Sequence, residues 1–476
     1  MPPATPRTRR DFLRTTPLAA AGFAIVPRHV LGGRGYRAPS DRLRILGVGA
    51  GGKGRGNLLP LDGEYVVALC DVDRERAAET YAHFPDAARF TDFRRMYDAH
   101  LDEVDAVVVS TPDHTHAVAS LAALYADKHV YCEKPLVHNV REARLMTEAA
   151  AARPHLVTQM GNQGASGEGI RLITEWLAAG LIGEVHTVHA WTDRPIWPQG
   201  NPAPTEGVPK PAYVDWEAWI GPARSVPYHP LYHPFAWRGW WDFGTGALGD
   251  MGCHLIDAAF YALELGYPTS AEASVVPIFS QNWHPDYTPE ACPVAAKVIL
   301  AFPARGDKPP VKLTWYDGGL LPERPDELGP GEQMGDGRSG VLLEGTAGKL
   351  MYDTYAQRPR LLPAARHEQE TFPEPTLPRV SSNHNLDWAD AIREGRQPSS
   401  PFAKAGPLTE TVLVGNLAVR AYDYRVPKGR KGDYERPGRT RLLWDGAAME
   451  IANVPELNFM VGREHGYREG WALPTG

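Results

Sequence analysis

From Gly47 to Gly52 the chain reads GVGAGG, which places Gly47, Gly49 and Gly52 at the spacing G-x-G-x-x-G directly after the apolar run Leu43 to Val48. At this spacing the first glycine allows a tight turn, and the second leaves room for a pyrophosphate. The third lets a helix pack closely on the strand with its N-terminal N–H groups facing the anion. A second apolar run, Tyr65 to Cys70, ends at Asp71, 19 residues after Gly52, near the spacing of an acid that accepts bonds from a ribose 2′-OH. A carboxylate there repels a 2′-phosphate, so NAD is predicted, with NADP possible because Arg74 lies close by. A separate pair could move protons. Asp250 and His254 are i and i+4 on a predicted helix running to about Leu265, which puts both on one face. The carboxylate could orient the imidazole or raise its basicity, and histidine titrates near neutral pH. Asp250 could equally cap the helix.

Positioning such groups takes a frame, and the first half of the chain alternates in a way that supplies one. A helix predicted to stop near Pro60 is followed by a strand over Tyr65 to Cys70, then helices over Asp73 to Phe84 and Asp92 to His100. Further strands are predicted at Asp105 to Ser110, in His129 to Leu136 and at Leu156 to Met160, with a helix to about Ala152 between the last two. Alternation of this kind predicts a parallel sheet with helices on both faces. Ligands bind outside the carboxyl ends of such strands, which places Thr111, Pro112 and His116 after the fourth run, and Glu133 and Lys134 after the fifth, at the cofactor crevice. His114 and His116 could suggest a metal, but no second ligand cluster has plausible spacing, and none is predicted.

The second half reads differently. Glu184 to Thr192 alternates as the first strand of a half-exposed sheet, and Ala271 to Phe279, Ala295 to Phe302 and Val311 to Tyr316 continue it as a largely antiparallel sheet. Six prolines between 195 and 211 predict a long surface loop, and Gly318 to Arg338 a loop or lid. Helices are predicted at Arg171 to Ala179, Asn383 to Glu394 and Pro407 to Tyr422, the last packing back on the nucleotide half.

Five segments in order, the glycine fingerprint, CDVD at 70–73, STPDHTH at 110–116, CEKP at 132–135 and GDMGCHLID at 249–257, resemble the Gfo/Idh/MocA family over nearly all of residues 41 to 445. The resemblance implies NAD(P)-dependent oxidation of a sugar, sugar derivative or cyclitol by an α/β chain: a Rossmann doubly wound parallel sheet and a C-terminal α/β domain on an open, largely antiparallel sheet. It implies that Lys134, Asp250 and His254 match catalytic positions. Oxidising a secondary alcohol needs a base and a group that polarises the oxygen, which His254 and Lys134 could provide. Asn162, Arg238 and Asp242 lie near the motif segments and are candidate hydroxyl-binding groups. Trp191, Trp197, Trp216, Trp219, Tyr228, Tyr232, Trp237, Trp240 and Trp241 could stack on sugar rings or simply build core. The family further implies a homo-oligomer, dimer or tetramer, and some relatives cleave glycosides with a retained cofactor. A sugar sensor that keeps the fold is a third reading, which loss of Lys134 or His254 would have favoured.

A chain of 476 residues with 43% hydrophobic and 22% charged residues is that of a globular protein of about two domains. The domains are predicted at 41–160 for the nucleotide and 161–445 for substrate and oligomerisation, with a tail at 446–476. Residues 1–40 read as a signal and linker: Thr8-Arg9-Arg10-Asp11-Phe12-Leu13-Arg14 and the apolar run Thr15 to Val26 resemble a twin-arginine export signal, too short to span a bilayer as a helix. A periplasmic or cell-envelope location is therefore expected, without stable membrane insertion. Seven Arg and one Asp give these 40 residues +6, so the net −7 leaves −13 on the rest, which argues against nucleic-acid partners. Cys70, Cys132, Cys253 and Cys292 show no C-x-x-C spacing and read as small buried residues.

Overall fold

Apolar residues on both faces of Arg44–Val48 (β1) demand neighbours on both edges and cover above and below, and the computed structural model, which describes residues 41–429 and 432–475, provides them. The expected twin-arginine signal and linker over 1–40 lie outside the described residues. Chain order then runs Lys53–Leu58 (α1), Tyr65–Cys70 (β2), Ala78–His83 (α2), Ala88–Phe90 (β3), Phe93–His100 (α3), Ala106–Val109 (β4), Asp113–Tyr125 (α4), His129–Cys132 (β5), Val140–Ala151 (α5) and Thr158–Met160 (β6). The six strands form one parallel sheet in the order β3-β2-β1-β4-β5-β6. Strand order reverses between β1 and β4, and a crevice opens outside their carboxyl ends. This is the doubly wound sheet that the alternation predicted.

The helix expected over 73–84 is shorter, because Asp73 is spent on the turn before it: Oδ1 accepts the Arg76 N–H at 3.0 Å and Oδ2 meets His233 Nε2 at 2.8 Å. β3, of three residues, was too short to show a period.

The remaining elements are Glu168–Ala178 (α6), Val185–Trp191 (β7), Trp216–Ile220 (α7), Gly246–Leu255 (α8), Asp257–Ala262 (α9), Ser270–Val275 (β8), Ala296–Phe302 (β9), Val311–Tyr316 (β10), Gly340–Gly345 (β11), Gly348–Tyr352 (β12), Arg360–Leu362 (β13), Ala364–Gln369 (α10), His384–Glu394 (α11), Phe402–Ala421 (α12), Val426–Pro427 (β14), Tyr434–Glu435 (β15), Leu442–Asp445 (β16) and Glu450–Ile451 (β17). A nine-stranded sheet runs β13-β12-β11-β7-β10-β9-β8-β16-β17, antiparallel throughout except for β7 beside β10. α12 begins five residues before the expected Pro407. Phe402 and Ala405 are fully buried, and the Phe402 N–H is bonded to Thr158 Oγ1 of β6 at 3.0 Å, so tertiary burial carries the helix past the proline. Buried nearly all round, α12 packs against α5 on one side and α8 and β8 on the other, joining the two sheets. All four cysteines are free and buried. No helix among the described residues is long and apolar enough to cross a membrane.

Candidate active site

The glycine loop takes a frame two residues later than expected. β1 ends at Val48, so Gly49 makes the turn: its φ is +84°, and a Cβ would lie 2.6 Å from the Ser110 carbonyl oxygen. Gly54, inside α1, makes the close helix–strand contact, since a Cβ there would sit 1.8 Å from the Gly49 oxygen. The sequence holds a second, overlapping G-x-G-x-x-G, at Gly49, Gly51 and Gly54, and this is the one that the fold uses. Gly47 lies within the strand, its missing side chain filled by Leu58 and Leu69, and Gly52 faces the Arg76 side chain; neither takes the place assigned to it. Asp71 braces the loop, with Oδ2 accepting the N–H groups of Ala50 and Gly51 at 2.9 and 2.7 Å and Oδ1 that of Asp73 at 2.8 Å. Burial pushes its carboxyl pKa up, against these bonds. Arg74 points away, towards the Ala212 carbonyl at 3.1 Å, while Arg76, which no motif marks, lines the cleft beside Gly51.

Gly54→Ala is therefore expected to cost about 3 kcal/mol of stability or more, as overpacking against rigid backbone does, and to abolish nucleotide binding. Gly56→Ala in the same helix, where a Cβ meets nothing within 4 Å, should be neutral or stabilise by about 0.5–1 kcal/mol. Thermal unfolding and nucleotide titration of the pair read the difference.

At the other end of the cleft, of about 390 Å³, four predicted residues come together: Lys134, Arg238, Asp250 and His254. Lys134, just beyond β5, extends Nζ to the backbone oxygen of Asp250 at 2.6 Å and to its Oδ1 at 2.9 Å. Arg238 Nε approaches the same Oδ1 at 3.3 Å, its guanidinium stacked 4.3 Å over the Trp237 ring. Burial opposes the charge on Asp250, but the two cations override it and hold the carboxyl below its usual range. Burial likewise opposes the Lys134 ammonium, and Asp250 keeps its pKa above the ordinary lysine value.

Among the described residues Asp250 makes no hydrogen bond that orients His254, and its charge only partly offsets the burial that lowers the imidazole pKa. Its carboxylate is committed to Lys134 and Arg238, and the helix N-cap is Thr245, whose Oγ1 donates to Asp113 Oδ2 at 2.7 Å. His254 is 6% exposed, lies edge-on to the Tyr355 ring at 4.8 Å, and has a buried Nδ1 without a hydrogen-bond partner among the described residues. Burial first, then the Lys134 charge, push its pKa well below the ordinary value. Between the two ends sits Glu133, accepting from Asn57 Nδ2 at 2.9 Å and facing Lys53 Nζ at 3.5 Å.

Thr111 and Pro112 line the cleft as expected from their strand end, while His116 lies beneath it. Both His116 ring nitrogens are within 2.8 Å of carbonyl oxygens, those of Thr111 and Pro135. Burial disfavours its charge, yet Cys132, Asp113 and the Thr111 carbonyl lift its pKa to about 10. It supports the wall rather than touching what binds there. Asn162 is fully buried on Asp257 (2.8 Å) and Asp242 is paired with Arg224 (3.1 Å), and neither reaches the cleft. Of the aromatics, Trp197, Trp219 and Trp237 line it, whereas Trp216, Tyr232 and Trp240 build the core behind. The loop at 318–338 supplies no wall residue. Tyr355 and Trp471, which do, have no local sequence signal, since remote segments deliver them.

Residues 42–160 match the model for the oxidoreductase family, NAD-binding Rossmann fold, and residues 176–286 that for the oxidoreductase family, C-terminal alpha/beta domain. Over these residues the chain matches the two domain models of the Gfo/Idh/MocA family. It is similar to an inositol 2-dehydrogenase of Rubrobacter xylanophilus (32% identity; 33% of this chain, 45% of the relative) and a levoglucosan dehydrogenase of Pseudarthrobacter phenanthrenivorans (26%; 46% and 46%). It is also similar to a glycosyl hydrolase family 109 protein of Shewanella pealeana (28%; 37% and 44%). The matches thus span less than half the length of these curated relatives. Among solved structures, levoglucosan dehydrogenase in complex with NADH and L-sorbose shares the fold at a TM-score of 0.52 (18% identity; 80% of this chain, 97% of that one). So does the WlbA dehydrogenase of Bordetella pertussis in complex with NADH and UDP-GlcNAcA, at 0.53 (15%; 82% and 99%).

Proposed function

We propose that this chain is an NAD-dependent oxidoreductase of the Gfo/Idh/MocA family that removes hydride from a secondary hydroxyl of a sugar, sugar derivative or cyclitol. The observation that carries the reading is the cluster of Lys134, Asp250, Arg238 and His254 in the same cleft as the glycine loop. A dinucleotide fits the residues present: Gly49 and Gly51 leave the loop without side chains, α1 begins behind it, and Asp71 lines the wall where a ribose acid belongs. NAD bound there provides the hydride acceptor. Lys134, held as an ammonium by Asp250, is placed to donate to the substrate oxygen and stabilise negative charge as it develops. Neutral His254 is the group with a free lone pair to take the hydroxyl proton. Asp250 keeps Lys134 charged and fixed while Arg238 shares the same carboxylate, and Trp197 and Trp237 offer apolar surface to a sugar ring.

Similarity to a glycosyl hydrolase family 109 protein favours a second reading, redox-neutral glycoside cleavage with a cofactor that stays bound and cycles. The paired-arginine segment supports export to the periplasm or cell envelope, where no soluble nicotinamide pool refills an empty site. The open nine-stranded sheet is consistent with a dimer or tetramer. Denaturing purified protein and weighing the small molecules released separates the readings. Near one NAD per chain supports the captive cofactor. None, with NADH formed on adding NAD and a sugar or cyclitol panel, supports the dehydrogenase; failure to bind or reduce NAD under any of these conditions would overturn both.

A further inference from the structure

Residues 455–475 leave the second sheet and run back over the first half of the chain. Arg463 Nε pairs with Glu142 of α5 at 3.1 Å, both side chains at most 5% exposed, and Nη2 donates to the His114 carbonyl at 2.5 Å. The Tyr467 hydroxyl donates to the same Glu142 oxygen at 2.8 Å. Arg468 Nε then donates to the Gly221 carbonyl, at the end of α7, at 2.9 Å. These anchors deliver Trp471 to a gap between the two sides of the cleft. Phe93 meets its ring edge-on at 5.8 Å, the Arg94 guanidinium lies 3.8 Å over it, and Arg94 Nη1 holds the Gly470 carbonyl at 2.8 Å. On the opposite side a Cβ on Gly221 would lie 3.6 Å from Trp471 Cζ3. Trp471 is 5% exposed and shares the cleft wall with Asp71, Thr91, Asp92 and Phe93, which follow β2 and β3. That is the end where the ribose acid places adenosine, opposite Lys134 and His254.

We propose that residues 463–471 form a strap that completes the adenosine end of the nucleotide site, with Trp471 a contact of the cofactor's adenosine half, and that its closed position limits nucleotide release. This rests on the reading that a dinucleotide occupies the cleft. Large aromatic surface beside a purine adds contact that a loop of small residues lacks. Opening the strap also uncovers a buried ion pair, so it is a slow step.

The test is the rate at which the full-length protein, loaded with NADH, loses its bound fluorescence on mixing with excess NAD. Trp471→Ala is expected to raise that rate at least tenfold, and Trp471→Phe to recover most of the difference. Equal rates in parent and Trp471→Ala would overturn the strap while leaving the nucleotide site standing. A parent chain that binds no NADH would overturn both. A measurement without substitution guards against misfolding: trypsin cleavage after Arg463 and Arg468 in the parent should slow at least tenfold at saturating NADH. Cleavage at the same rate with and without nucleotide would overturn the strap.

Discussion

Lys134→Met is expected to leave NADH affinity close to that of the parent chain and to lower turnover by about 10³-fold, on the order of 4 kcal/mol of transition-state stabilisation. Lys134 Nζ is clamped between the backbone oxygen and the carboxylate of Asp250, so the ammonium is oriented before substrate arrives and needs no reorganisation as an alkoxide forms. Its pKa stands above the ordinary lysine value, because Asp250 outweighs the burial penalty. On the proposed reading it serves as a fixed positive charge and donor, not as the base. Met keeps most of the apolar stem, and Asp250 retains Arg238 as a partner at 3.3 Å, so the variant should fold. Stopped-flow hydride transfer and NADH titration separate the two effects. Unchanged turnover would remove Lys134 from the chemistry.

His254→Asn should lower turnover by about 10²–10⁴-fold, the usual contribution of a positioned general base, and should change the shape of the pH profile. Burial and the Lys134 charge hold the imidazole pKa well below its ordinary 6.5. The neutral, proton-accepting form is thus fully populated from pH 6.5 upward. The parent should show kcat/KM independent of His254 ionisation there and an acid limb only at lower pH. That limb should be absent in the variant; an identical acid limb in both would assign it to another group. The same shift has a stability consequence with a definite sign. Below pH 6.5 the unfolded chain binds a proton at this position that the folded chain does not, so His254 makes the parent lose stability as pH falls, and His254→Asn should flatten that part of the curve.

Period and spacing carried much of this architecture, because they report local physics. The apolar runs at Tyr65 to Cys70 and Val311 to Tyr316 are strands from end to end, and the alternation of strands and helices sufficed to predict a doubly wound sheet. Residue types at strand ends and at i, i+4 marked Lys134, Asp250 and His254 as able to do chemistry, and it was the resemblance of the motifs around them that implied catalytic positions. The glycine frame was also in the sequence, but two overlapping matches were present, and only the point where β1 stops, set by its pairing with β2 and β4, decided that Gly49, Gly51 and Gly54 do the work.

Tertiary structure alone decided which partners those side chains meet. Asp250 and His254 share a helical face, yet Lys134 and Arg238, 116 and 12 residues away, claim the carboxylate. Asn162 and Asp242 sit close in sequence to site motifs but turn to Asp257 and Arg224, because a buried or half-buried polar group is taken by the nearest partner the packing brings. Tyr355 and Trp471 reach the cleft from segments with no motif at all. Charge, periodicity and turn chemistry act over a few residues and are legible along the chain. Hydrogen bonds and burial between segments hundreds of residues apart depend on how two sheets and one buried helix, Phe402–Ala421, come together, and that is written in three dimensions only.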